Sequence, residues 1–213
     1  MAMQHDVVLF DLDGTLSDPL DGITRSLNYA LDHFGYTPLA VDQVGPFVGP
    51  PLDQTFRSIT GLTAEVPVHE LVTKYRERYA EIGYAENVLY PGVREALAHL
   101  HAAGIQMAVC TSKRWDFAEQ ILAMFDLQEV FLFVDGGDVG IRKWQQLAVL
   151  RAQGKITTAS VIVGDRSTDL IAARRTGLSS GGVLWGYGSY AELSTESPQY
   201  LFRSPAEWAR FVE

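Results

Sequence analysis

The chain has 213 residues, 47% of them hydrophobic and 20% charged, with 26 acidic against 17 basic residues for a formal charge of −9. That length suits one large domain, or one domain carrying an insert, and the acidic balance disfavours nucleic acid and anionic membranes as partners while leaving room for a small anion. The single cysteine, Cys110, excludes an internal disulfide and a zinc cluster.

The start, "MAMQHDVVLF", lacks a basic segment followed by a long apolar run, so no signal peptide is expected. No later run reaches membrane-spanning length, and the expectation is a cytoplasmic monomer or homodimer. The first element is an apolar strand, "VVLF", at 7–10. Asp18 and Pro19 then read as the cap and first position of a helix with Ile23, Leu27, Ala30, Leu31 and Phe34 facing inward, ending at Gly35. A second helix is marked by Leu52, Phe56 and Ile59, and a third by Leu71, Tyr75 and Tyr79. "GPFVGPPL", 45–52, reads either as a loop reaching into a site or as a helix start set by Pro50 and Pro51.

Pro91 opens the next helix, with Val93, Leu97 and Leu100 on one face and Gly104 closing it. "IQMAVC" at 105–110 predicts a strand, Phe117, Ile121, Met124 and Phe125 line a helix, and "VFLFV" at 130–134 predicts another strand. "SVIVG" at 160–164 and "GVLW" at 182–185 follow as strands, and Ser204, Pro205 and Glu207 signal a final helix. Continuous apolar strands alternating with helices imply α/β architecture, a doubly wound parallel sheet covered on both faces. More than ninety residues separate the first two strands, far more than one crossover helix needs. An inserted helical cap at 17–88 is therefore expected, with 1–16 and 89–213 forming the core.

In open parallel sheets ligands bind beyond the carboxyl ends of the strands. Three polar clusters fall there: Asp11-Leu12-Asp13-Gly14-Thr15, Thr111-Ser112-Lys113, and Gly164-Asp165-Arg166-Ser167-Thr168-Asp169. Two carboxylates about 4 Å apart repel by roughly 4 kcal/mol at an intermediate dielectric, so crowding Asp11 and Asp13 demands compensation. Each cluster also has a plain structural reading. Aspartate, glycine and threonine form turns, Ser167 can cap a helix, and Thr111 and Ser112 can simply end a strand. Their joint placement favours a site.

In the order DxDGT, strand-end Thr/Ser, lysine and GDxxxD, these motifs resemble those of the haloacid dehalogenase superfamily of phosphohydrolases, and the likeness covers nearly the whole chain. "YPGVREAL", "VGDRSTDL" and "VLWGYGS" look most like the branch of phosphoglycolate phosphatase and related nucleotidase-like enzymes. The resemblance implies a Mg²⁺-dependent hydrolase of small phosphomonoesters. Asp11 would be the nucleophile and Asp13 the acid and base. Thr111, Ser112 and Gly14 would meet the phosphoryl group. Asp11, the Asp13 carbonyl and Asp165 would hold the ion, with Asp169 beside it or one layer behind. An oxygen-rich site suits Mg²⁺, which would offset the crowded charge.

The family pattern also wants a lysine at the start of the helix before the "GD" strand. Lys143 fits best, because Leu147 and Leu150 then face inward; counting strictly from Gly140 puts Gln145 there instead, and Arg142 is a substitute. Asp13 argues against a dehalogenase, and the long insert argues against a phospho-receiver module. A phosphomutase and a catalytically impaired phosphate-binding protein stay open. Cys110 lacks the arginine of a cysteine-dependent phosphatase, with Asp116 six residues on, and reads as a buried strand residue. The five histidines read as surface groups, Tyr75, Tyr79 and Tyr84 as core or rim, and "WGYGS", 185–189, as a glycine turn.

Overall fold

The computed structural model describes residues 5–212. β1 (Val8–Phe10) leads into a short antiparallel hairpin, β2 (Ser17–Asp18) with β3 (Val88–Leu89), whose two strands bracket α1 (Leu20–His33), α2 (Leu52–Thr60) and α3 (Glu65–Glu81). The chain continues through α4 (Val93–Ala102), β4 (Met107–Arg114), α5 (Trp115–Met124), β5 (Val134–Gly137), α6 (Lys143–Ala152) and β6 (Val161–Gly164). It closes with α7 (Ser167–Thr176), β7 (Ser179–Val183), α8 (Tyr190–Thr195) and β8 (Tyr200–Phe202). Among the described residues six strands form one parallel sheet in the order β5-β4-β1-β6-β7-β8.

Alternation along the strands builds a core on each face of the sheet. Val8 and Phe10 of β1, Val109 of β4 and Val161 and Val163 of β6 pack with α4, α5 and Trp208. Leu9, Ala108, Cys110 and Ile162 point the other way, onto Leu147 and Leu150 of α6 and Ala172 and Ala173 of α7. Full burial of side chains such as Phe10 and Leu9 stabilises by roughly 1.5–3 kcal/mol each. A third apolar cluster lies among α1, α2 and α3, around Leu27, Leu31, Phe56, Leu71 and Tyr75, with Phe117 of α5 as the core's contribution.

Several local expectations change. The pairing of β5 falls at Val134–Gly137 rather than 130–134, because its register is set by β4: Val134 stands opposite Val109 and Asp135 opposite Cys110. β4 runs past Cys110 to Arg114, so Thr111, Ser112 and Lys113 lie on the strand itself. β7 begins at Ser179 and ends before Leu184 and Trp185. α1 begins at Leu20, after Pro19, and the Leu20 N–H donates to Asp18 Oδ1 at 3.0 Å. Pro91 stands outside α4, whose entry is set by the left-handed Gly92. The closing segment, Pro205–Phe211, is a 3-10 helix. Phe34 and Met124 are exposed, since both stand at the C-terminal ends of their helices. His5 is buried, held by the Ala159 carbonyl at 2.9 Å and the Tyr200 hydroxyl at 3.0 Å, whereas the other four histidines are exposed.

Candidate active site

β4, β1 and β6 are adjacent at the centre of the sheet, so their carboxyl ends open onto one place. Asp11 follows β1 and Asp165 follows β6, while Asp169 sits in the first turn of α7. Asp11, Asp165 and Asp169 each bring a carboxylate oxygen within 4.8 Å of the others, and all three are buried. Lys143, the first residue of α6, enters from the flank. Its ammonium stands 2.9 Å from Asp11 Oδ2 and in contact with Asp169 Oδ1. Arg142 and Gln145 are exposed, and the Arg142 N–H donates to Gln145 Oε1 at 2.9 Å, which leaves them opening the helix rather than facing the acids.

Burial opposes charge on Lys143, but Asp11 and Asp169 outweigh it and hold its pKa above the ordinary lysine value. For Asp165, burial together with the like charges of Asp169 and Asp11 pushes the carboxyl well above the usual carboxylate range. Asp165 Oδ2 accepts from the Tyr187 N–H at 2.8 Å, yet its Oδ1 is buried with no protein partner. An orphaned carboxylate oxygen beside two further carboxylates is an all-oxygen donor set with spare lone pairs, which fits a hard cation such as Mg²⁺. Gly14 completes the cradle. Its φ of +81° and the space taken by the Asp165 carboxylate both exclude a side chain at that position.

Both oxygens of Asp11 are held, Oδ1 by the Leu12 N–H at 2.8 Å and Oδ2 by Lys143. Asp13 is buried too, and turns aside from the three acids toward Lys113, whose Nζ lies 2.8 Å from Oδ2. Its Oδ1 has no protein partner. Burial raises the Asp13 pKa, and Lys113 only partly opposes that rise. Thr111 and Ser112 line the same cavity as Asp11 and Asp13. Thr111 is anchored from behind by Gln146 of α6, whose Nε2 donates to its carbonyl at 3.0 Å.

Lys113 had no assigned role in the sequence reading. Its second partner explains why: the Tyr79 hydroxyl, 2.6 Å away, comes from α3, and no local pattern brings residues 79 and 113 together. Tyr75 and Tyr79 are buried and also line the cavity, while Tyr84 is half-buried. "GPFVGPPL" does both things expected of it. Phe47, Gly49, Pro50 and Pro51 line the cavity, and α2 starts directly after Pro51. "WGYGS" proves to be more than a turn. The Trp185 indole N–H donates to the Thr15 carbonyl at 3.0 Å, and a side chain at Gly186 or Gly188 would collide with Asp165. Cys110 is buried on β4, where burial pushes its thiol pKa far up.

The family model for haloacid dehalogenase-like hydrolases matches residues 8–183. A 5'-nucleotidase of Pseudomonas aeruginosa is 36% identical over 100% of this chain and 97% of its own. A phosphoglycolate phosphatase of Vibrio parahaemolyticus is 32% identical, covering 98% of this chain and 97% of its own. Among solved structures, a predicted phosphatase from Clostridium acetobutylicum superposes with a TM-score of 0.91 at 32% identity, over 97% of each chain. With motifs, topology and these matches in agreement, the chain belongs to the haloacid dehalogenase-like hydrolase family.

Proposed function

We propose that this chain is a Mg²⁺-dependent phosphatase that hydrolyses a small phosphomonoester through an aspartyl-phosphate on Asp11. One observation carries the reading: the Asp11, Asp165 and Asp169 carboxylates converge at neighbouring strand ends with the Lys143 ammonium inserted between two of them. Mg²⁺ held by Asp11, the Asp13 carbonyl and Asp165, with Asp169 in support, would screen the phosphoryl oxygens so that a carboxylate can approach them.

The remaining chemistry belongs to the side chains. An Asp11 oxygen forms a bond to phosphorus as the bond from phosphorus to the leaving oxygen breaks. Lys143, 2.9 Å from Asp11 Oδ2, holds that carboxylate in place and supplies its counter-charge. Asp13 delivers a proton to the leaving alkoxide from Oδ1, the atom with no other partner, and then removes one from water. That water displaces Asp11 from phosphorus, releasing inorganic phosphate and restoring the carboxylate. Burial favours the protonated form of Asp13, while Lys113 keeps the proton transferable. Thr111 and Ser112 offer donors to a phosphoryl oxygen.

The test is phosphate release from a panel of small phosphomonoesters with and without Mg²⁺, beside Asp11→Asn. Release that needs the metal and vanishes in the variant is expected. Release persisting in Asp11→Asn would remove Asp11 from the mechanism.

A further inference from the structure

The cavity in front of Asp11 has a volume of about 70 Å³. Its far wall is apolar, built from Ile23, Leu27, Phe47, Leu52, Tyr75 and Phe117. Three basic residues also reach it, and among the described residues each is already paired. Arg76 lies 2.5 Å from Asp138, Arg114 meets Asp116 through two bonds of 2.6 and 2.5 Å, and Lys113 is held by Asp13 and Tyr79. An anionic group on the substrate, other than its phosphoryl, would have to break one of these pairs or else give up its own water without a new counter-charge.

One polar group on that wall is uncommitted. Thr55 of α2 lines the cavity at 1% exposure, and its hydroxyl has no partner. Thr60, Thr73 and Thr176 return their hydroxyls to the carbonyl four residues back, at 2.7, 2.9 and 2.8 Å. Thr55 does not; the Thr24 hydroxyl of α1 is likewise without a partner, but Thr24 does not line this cavity. Buried hydroxyls are rarely left unmade, and this one belongs to a residue that lines the cavity in front of Asp11.

We propose that the cavity selects phosphomonoesters of an uncharged alcohol, with an apolar face against the wall and a hydroxyl or carbonyl received by Thr55, and rejects alcohols carrying a carboxylate. This rests on the phosphatase reading and adds the substrate class to it.

Pairs of esters in which a hydroxymethyl group stands in for a carboxylate supply the test: 2-hydroxyethyl phosphate against phosphoglycolate, and glycerol 3-phosphate against 3-phosphoglycerate. The neutral member of each pair should have the higher kcat/KM by about tenfold or more, in the range that single pocket contacts achieve. Thr55→Val should collapse the preference for glycerol 3-phosphate over propyl phosphate, and Thr55→Ser should keep it. Carboxylates turned over as well as their neutral partners would overturn the proposal, as would a preference untouched in Thr55→Val. Calorimetric binding of the same esters to the Asp11→Asn protein separates the two claims. Tighter binding of the neutral members to Asp11→Asn, beside a wild type that releases no phosphate, would end the phosphatase reading and leave the selectivity standing; equal binding would end the selectivity.

Discussion

The Lys113 ammonium lies 2.8 Å from Asp13 Oδ2, joining a cation on β4 to the carboxyl that follows β1. Both groups are nearly excluded from solvent, at 7% and 10% side-chain exposure, so the pair is screened little and acts at close to full strength. Lys113→Met should lower kcat by about a hundredfold or more, the usual scale for disabling a proton-transfer group. Because Lys113 opposes the upward push that burial gives Asp13, its removal raises the Asp13 pKa further. If Asp13 is the carboxylate that activates water, the ascending, low-pH limb of kcat should move to higher pH, as a pH–rate series would record.

Lys143 carries a different burden. With the ammonium gone, Asp11 and Asp169 would remain buried without their counter-charge. Lys143→Met should destabilise the metal-free protein by about 3–5 kcal/mol in urea unfolding, the scale for breaking a buried pair from one side. Its kcat should fall by about two to three orders of magnitude, as for loss of a preorganised charge stabiliser.

Metal binding should be visible without turnover. Since Mg²⁺ would bind only the folded arrangement of acids, it should raise Tm, with a gain of about 2.7 kcal/mol at a hundredfold excess over Kd. Asp165→Asn removes one of the like charges that burial holds at high cost. The variant should melt higher than wild type in chelator and lose the response to Mg²⁺; thermal scans of both proteins decide it.

Glu86 tests the base of the helical insert. It meets Arg78 at 2.8 and 3.0 Å and Arg25 at 2.8 Å, and the bonds from Arg78 above all hold its pKa below the ordinary 4.5. A carboxyl with a depressed folded-state pKa stabilises fully above its unfolded value and loses that contribution as pH falls through the folded one. Stability should therefore drop below about pH 4.5 in wild type, by a shallower course in Glu86→Gln. At neutral pH the variant should be weaker by about 1 kcal/mol, as for a partly exposed pair. Urea unfolding across pH 3–7 would measure both.

Much of this was legible in the residues because parallel strands buried on both faces are written as short apolar runs, and the polar clusters stand directly after them. "VVLF" and "SVIVG" lead straight to Asp11 and Asp165. Lys143 could be favoured over its neighbours because only it leaves Leu147 and Leu150 facing the sheet. What escaped detection depends on distant partners. β8 is three residues long and the β2–β3 hairpin two residues a side, too short for any period to register. Lys113 takes its meaning from Tyr79, and Thr55 from a cavity whose walls come from four separate helices, β4 and intervening loops.

Tyr187 adds a tie between the site and the helical insert that runs through the segment after β7. Its backbone N–H steadies Asp165, its hydroxyl donates to Asp18 at the root of the hairpin, and its ring packs near Gly45 in the segment before α2. A chimera that transplanted a relative's helical insert, and with it new selectivity, would therefore misalign the Asp165 carboxylate unless residues 185–188 travelled too. Evolutionary exchange of specificity in this chain must move two distant segments in concert.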